Sequence, residues 1–127
     1  MKTKRPVNLD IGSIKLPITS YVSILHRVSG VILFFVVALS LFLLDTSLES
    51  EQSFDVLKHW FSSPFLQFVI WASLAAMAYH FFAGIRHLIM DLGIGEDSFD
   101  SGRRSAWLVV AVVSVVIALI SVWIFLW

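Results

Sequence analysis

The chain has 127 residues, of which 58% are hydrophobic and only 14% are charged. This composition is too apolar for an ordinary soluble domain and indicates an integral membrane protein. Because the chain has no cysteine, it excludes disulfides, iron–sulfur clusters held by its own thiolates and covalent haem attachment through a Cys-x-x-Cys-His motif. Nine basic and nine acidic residues give no net charge, so only the positions of the charges are informative.

The hydropathy pattern predicts an all-α membrane protein that forms one domain with three transmembrane helices. Each predicted span is long enough to cross ~30 Å of hydrocarbon at ~1.5 Å of helix per residue. The predicted segments are a polar, basic segment at 1–20, a first span at about 21–44, an acidic loop at 45–61, a second span at about 62–90, a connector of mixed charge at 91–105, and a third span at about 106–127. The segment at 1–20 is either a disordered tail or a stretch docked on a partner.

Lysine and arginine are distributed unevenly between the two sides of the predicted bundle. Eight of the nine lie in the amino-terminal segment, the first turns of the first span, the end of the second span or the connector at 91–105. The remaining one, Lys58, lies in the acidic loop. The positive-inside rule therefore predicts a cytoplasmic amino terminus, a periplasmic loop at 45–61 and an outer carboxyl terminus.

The second span has recognisable start and stop signals. Ser62-Ser63-Pro64 combines residues that cap a helix with a proline suited to the first helical position. Gly93 and Gly95 are available to end the helix. The third span contains no charged residue and is expected to be a scaffold facing lipid.

The stretch Ala78–Asp91, AYHFFAGIRHLIMD, places ionisable residues inside an apolar span, at a cost of roughly 2.5–3.5 kcal/mol for a charge at the membrane centre. His80 can remain neutral, but its ring nitrogens still need a hydrogen bond or a metal. Two interpretations remain: a packing histidine bonded to a carbonyl, and an axial ligand of a b-type haem.

His80, Gly84 and His87 share one helix face because seven residues make almost two turns. This face would offer a haem an axial nitrogen, space at the glycine and cations for its propionates. The alternative for Arg27, Arg86 and His87 is that they snorkel to lipid headgroups.

The depths of the histidines predict that a second haem ligand comes from another chain. If Tyr21 and Asp91 mark the membrane boundary, His26 lies roughly 8–9 Å inside it and His80 roughly 16 Å inside it, at ~1.5 Å per residue. His26 is thus predicted to lie several ångströms too shallow to bind the iron of a haem ring that His80 holds. His87 lies ~10 Å from His80 along the same helix, and the fourth histidine, at position 59, is predicted on the other side of the membrane.

Ser23 and Arg27 lie one helical turn apart near the predicted cytoplasmic boundary. A hydroxyl and a guanidinium in this arrangement can bind a carbonyl and stabilise negative charge that develops on it. A lipid-soluble quinone would meet these groups from the bilayer. The alternative is that Ser23 bonds the backbone of its own helix.

Four motifs occur in order along the chain: RPVNLD at 5–10, SILHRVSG at 23–30, AYH followed by GIRHLIMD at 78–91, and GRRSA at 102–106. Together they closely resemble the cytochrome b556 membrane-anchor subunits of bacterial succinate dehydrogenase, respiratory complex II. The resemblance implies that His80 is an axial ligand of haem b, and that Ser23 and Arg27 line a ubiquinone site. It associates His26 with the haem propionates, with Arg27, Arg86 and His87 as further candidates beside them.

The same resemblance implies an electron-transfer and docking subunit that is not an enzyme by itself. Its expected partners are a flavoprotein, an iron–sulfur subunit, a second anchor that shares the haem, ubiquinone and membrane lipid, with no nucleic acid. The expected location is the bacterial inner membrane, as a multi-pass protein. Two alternatives remain: the anchor of a fumarate reductase, and a non-redox three-span membrane subunit.

Overall fold

The computed structural model describes residues 11–95 and 97–126; the RPVNLD motif and the first half of the predicted amino-terminal segment lie outside these ranges. A short 3₁₀ turn, Ile11–Ser13, precedes four helices: α1 (Ile18–Glu49), α2 (Glu51–Phe61), α3 (Pro64–Asp91) and α4 (Phe99–Leu126). No strand is present in the described residues. Helices α1, α3 and α4 are each long and apolar enough to cross a membrane. The prediction of an all-α protein with three spans is confirmed.

Helix α3 begins where the sequence signal predicts. The hydroxyl of Ser63 accepts a hydrogen bond from the backbone N–H of Leu66 at 3.3 Å, and Pro64 occupies the first helical position. This cap satisfies one of the backbone N–H groups that the first turn leaves without a partner.

Helix α3 ends in a glycine cap that was also predicted. Gly93 has a φ of +76°, which L side chains rarely adopt, and its N–H donates to the carbonyl of Met90 at 2.8 Å. The N–H of Ile94 donates to the carbonyl of Ile89 at 3.3 Å. This pair of bonds is a Schellman motif, in which glycine lets the chain reverse direction after the last helical turn.

The prediction of a loop at 45–61 is wrong, because most of this segment is helical. Helix α1 continues to Glu49, and after Ser50 the chain forms α2, whose first turn is capped by a bond from the Ser53 N–H to the Ser50 hydroxyl at 3.0 Å. Apolar side chains at positions 54, 57 and 61 recur at helical spacing, and Leu57 is buried. Of the acidic residues that suggested a loop, Asp45 and Glu49 belong to the end of α1, and Glu51 and Asp55 are exposed residues of α2.

The connector at 91–105 is also shorter than predicted, because α4 begins at Phe99. One stripe of α4 packs against the rest of the bundle and forms its core with α1 and α3. The buried cluster consists of Val22, Ala83, Ala106, Val109 and Val113. Outside this stripe most α4 side chains are exposed on the isolated chain, so the expectation of a helix that faces lipid does not hold for its whole surface.

The buried cluster lies toward the end of the bundle where α1 and α4 begin and α3 ends. His26, His80 and His87 also lie toward this end, which is therefore called the histidine end. Large apolar side chains elsewhere, such as Phe34, Phe65 and Leu119, are exposed on the isolated chain. Lipid or partner helices are the environment that such a surface requires.

Candidate functional site

Three imidazole rings lie in a row where α1 crosses α3. The ring of His26 lies between the rings of His80 and His87, with centroid distances of 4.2 Å and 4.8 Å and interplanar angles of 16° and 19°. This arrangement is called the histidine stack. The structure brings together three of the predicted site residues.

The prediction that His26 is too shallow to ligate a haem held by His80 stays a prediction, but the side chains of these two histidines are in contact. His26 lies opposite Gly84 and His80 lies opposite Gly30, so the two backbones differ in level by about one helical turn, ~5.4 Å. The depth estimate compared backbone positions only. Two side chains that reach toward each other from facing helices close this gap.

Glycine makes the crossing possible at both levels. A Cβ atom built on Gly30 would lie 3.2 Å from Cε1 of His80, and one built on Gly84 would lie 3.2 Å from Nε2 of His26. Both distances are shorter than a comfortable van der Waals contact. Each helix therefore presents a glycine to the histidine of the other helix.

The hydrogen bonds of His80 define which ring nitrogen carries the proton. Nδ1 lies 3.2 Å from the carbonyl oxygen of His26, which can only accept, and 3.0 Å from the hydroxyl of Ser29. The Ser29 hydroxyl donates its own hydrogen to the same carbonyl at 2.7 Å, so it can only accept from His80. The proton of the neutral ring therefore resides on Nδ1, which leaves the lone pair of Nε2 available.

The stacked rings do not block that lone pair. Stacking covers the face of an imidazole, whereas a metal binds in the plane of the ring along the lone pair of the nitrogen. Within the described part of the chain, no group of three or more metal-binding side chains could hold a bare metal ion. A metal at His80 would need donors from elsewhere, and the four nitrogens of a porphyrin are one such set.

Two other residues at this crossing had no role in the sequence interpretation. Ser29 is the first, as described above. The second is Tyr79, whose hydroxyl donates to the carbonyl of Val22 at 2.8 Å and fastens α3 to the start of α1. Ser29 lies three residues after His26 and so shares its face, but spacing alone does not say which serine of α1 faces a neighbouring helix.

Ser23 and Arg27 lie on α1 at the histidine end, as predicted. Arg27 is exposed and Ser23 is half-buried. Within residues 11–95 and 97–126 neither side chain has a hydrogen-bond or ion-pair partner, whereas Ser40 bonds the carbonyl of Val36 in its own helix. The alternative in which Ser23 bonds its own backbone is therefore not what the structure shows. Both groups can bind a ligand.

The structure places Arg86 differently from the sequence interpretation. Its side chain is 5% exposed and points to α4, where Nε donates to the Ser105 hydroxyl at 3.0 Å and Nη2 donates to the Gly102 carbonyl at 3.1 Å. It joins α3 to α4, and its predicted place beside haem propionates stays a prediction. Arg86 follows His80 by six residues, so the two side chains project from different sides of α3.

His87 remains in the stack, and its Nδ1 donates to the carbonyl of Ala83 at 2.6 Å. The remaining histidine, His59, is on α2, which follows the opposite end of α1. Of the four histidines in the chain, only His80 combines a fixed Nδ1 proton with a position at the helix crossing and bonds to a second helix.

Comparison with known proteins finds one family model and several relatives, described as subunits of succinate dehydrogenase or fumarate reductase. The family described as "Succinate dehydrogenase/Fumarate reductase transmembrane subunit" matches residues 1–120. The chain is similar to the succinate dehydrogenase cytochrome b556 subunit of Coxiella burnetii, with 41% identity over 98% of this chain and 99% of the relative. It is also similar to the proteins of that name from Rickettsia felis (35% identity; 84% and 82% covered) and Paracoccus denitrificans (30%; 95% and 92%).

Proposed function

Since the chain belongs to the family of succinate dehydrogenase/fumarate reductase transmembrane subunits, we propose that it is the cytochrome b anchor of a succinate:ubiquinone oxidoreductase. In this role it docks the flavoprotein and iron–sulfur subunits on the membrane, shares a b-type haem with a second anchor and contributes to the ubiquinone site. The family assignment and the relatives' name, cytochrome b556, support this proposal. The proposed location is the bacterial inner membrane, with the amino terminus in the cytoplasm.

The observation that carries the proposal is the environment of His80. A histidine that binds a metal through one nitrogen usually donates the other N–H to a carbonyl, carboxylate or water. His80 makes this kind of bond to the His26 carbonyl and the Ser29 hydroxyl, and its Nε2 is available for iron. These residues fit a haem ligand. When bound, the haem supplies a site that accepts and releases one electron at a time.

A second axial ligand comes from the partner anchor in this proposal. In the observed arrangement the ring of His26 lies face to face with the rings of His80 and His87. Two histidines that held one iron would have to present nitrogen atoms to it and not ring faces to each other, so neither His26 nor His87 would share the iron with His80. His26 and His87, which stack beside His80, are the proposed neighbours of the haem propionates, and Arg27 would add a positive charge at the same end of α1.

Ser23 and Arg27 form the contribution of this chain to the ubiquinone site. Reduction of ubiquinone to ubiquinol takes up two electrons and two protons, and negative charge develops on the carbonyl oxygens as electrons arrive. The Arg27 guanidinium stabilises that charge, and the Ser23 hydroxyl donates a hydrogen bond that orients the ring. Their free donors at the histidine end support this role.

The family description also includes fumarate reductase, which catalyses the same couple in the opposite direction. The relatives compared above are named succinate dehydrogenase subunits, which favours succinate oxidation. The proposal is tested by the absorption spectrum of the dithionite-reduced complex, since a b-type band must be present and must depend on His80. A colourless complex would contradict the proposal.

A further inference from the structure

We infer that Ser29 is a positioning residue for the haem, an inference that rests on the proposed role of His80. Its hydroxyl oxygen holds the Nδ1 proton of His80 and so sets both the orientation of the ring and the electron density at Nε2. Ser29 touches the ligand and not the haem iron, so its effect is transmitted through His80.

The geometry gives the Ser29 hydroxyl a single hydrogen-bonding role toward His80. A serine hydroxyl has one hydrogen and two lone pairs. The hydrogen is used in the 2.7 Å bond to the His26 carbonyl, one turn earlier in α1, so a lone pair faces Nδ1 of His80 at 3.0 Å. The same carbonyl also accepts from Nδ1 at 3.2 Å. Nδ1 of His80 therefore faces two acceptors from α1, the Ser29 hydroxyl and the His26 carbonyl. The bond from the Ser29 hydroxyl to that carbonyl polarises the hydroxyl and makes its oxygen a better acceptor.

Burial makes this arrangement difficult to replace. Ser29 is 5% exposed, so a water molecule has little access to its site when the hydroxyl is removed. The exposed serines Ser40 and Ser114 bond only the carbonyl four residues earlier in their own helix. Ser29 differs from them because it also reaches a side chain on another helix.

The consequence for the haem follows from ligand basicity. A hydrogen bond donated from Nδ1–H increases the basicity of the metal-bound nitrogen. A more basic ligand favours the ferric state over the ferrous state. Loss of the Ser29 acceptor should weaken the bond at Nδ1 and raise the midpoint potential of the haem.

The experiment compares the assembled, purified complex carrying Ser29→Ala, Ser29→Thr or the control Ser40→Ala with the unaltered complex. Subunit composition and haem content are measured first, followed by a potentiometric titration of the haem and the electron paramagnetic resonance spectrum of the oxidised haem. Threonine keeps the hydroxyl, and Ser40→Ala removes a hydroxyl from α1 without touching His80.

Ser29→Ala is expected to raise the midpoint potential and to move the low-spin ferric signal, with Ser29→Thr closer to the unaltered complex and Ser40→Ala unchanged. Loss of haem in Ser29→Ala but not in Ser29→Thr would also support the inference. An unchanged potential and signal in haem-loaded Ser29→Ala would overturn it, as would equal effects in both variants, since a packing role would then suffice. If His80→Ala retained the haem, the proposed function itself would fail; a null result at Ser29 alone would leave that function intact.

Discussion

The imidazole of His26, on α1, lies face to face with the imidazole of His80, on α3, at a centroid distance of 4.2 Å. The backbone carbonyl of the same His26 accepts a hydrogen bond from Nδ1 of His80. One residue of α1 thus contacts the proposed haem ligand through both its ring and its main chain. The position of His80 therefore depends on how closely α1 approaches α3.

Substitution of Gly30 tests that dependence. In Gly30→Ala the new Cβ lies 3.2 Å from Cε1 of His80, so the ring must move although two hydrogen bonds hold it. We expect a lower haem content or a shifted reduced absorption band. Gly102→Ala is the matched control, because its Cβ meets only a methyl group of Thr19 at an ordinary 3.7 Å. Equal spectra for both variants and the unaltered complex would show that the close approach at Gly30 is unimportant.

Arg27→Ala tests the assignment of the quinone site. Removing the guanidinium should lower succinate-dependent ubiquinone reduction by roughly 10²-fold or more, the scale of losing one donor to a developing negative charge. Succinate oxidation by a soluble dye should remain close to normal, because it does not need the membrane quinone site. Arg104→Ala, another exposed cation at the histidine end, serves as the control. A parallel fall of dye and quinone activities in a fully assembled complex would argue against the Ser23–Arg27 site.

Arg86→Ala tests the contact between α3 and α4. The variant loses two charge-assisted hydrogen bonds in a buried position, which are worth on the order of 3–6 kcal/mol in total. We expect a lower unfolding temperature of the solubilised complex, while the reduced haem spectrum keeps its band position. Ser105→Ala should lower the temperature less, because the Gly102 carbonyl remains as an acceptor. A spectral shift in Arg86→Ala without loss of stability would place Arg86 with the haem after all.

Topology can be tested with single cysteines, since the chain has none of its own. Two suitable substitutions are Glu51→Cys, at an exposed position of α2, and Asp97→Cys, at an exposed position before α4. With a cytoplasmic amino terminus, a membrane-impermeant thiol reagent should label position 51 in intact spheroplasts and position 97 only after permeabilisation. The reverse pattern would invert the proposed orientation.

The sequence was sufficient for the spans and for the ends of α3. Long apolar runs and the signals at Ser63, Pro64 and Gly93 are local features, and local physics determines them. The helix α2 was missed because its acidic face was interpreted as a loop, although its apolar residues recur at helical spacing. A count of periodicity through residues 51–61 would have found it.

The sequence selects candidate residues but not their contacts. Residue type and depth single out His80, Ser23 and Arg27, whose roles stay predictions, whereas the contact of His26 with His80 depends on how two helices cross and on side-chain reach. The contacts of Arg86 with α4 were not foreseen, because a cation near a helix end can face either of two adjacent helices. Ser29 could not be separated from Ser23 without knowing which face of α1 meets α3.

The most direct test of the central claim is the dithionite-reduced absorption spectrum of the complex purified with His80→Ala, beside a His59→Ala control on α2. Both variants must first retain the four subunits proposed for the complex. The account predicts that the b-type haem band is lost or strongly reduced in His80→Ala and unchanged in His59→Ala. A full, unshifted haem band in assembled His80→Ala would contradict the assignment of His80 as the haem ligand of this chain.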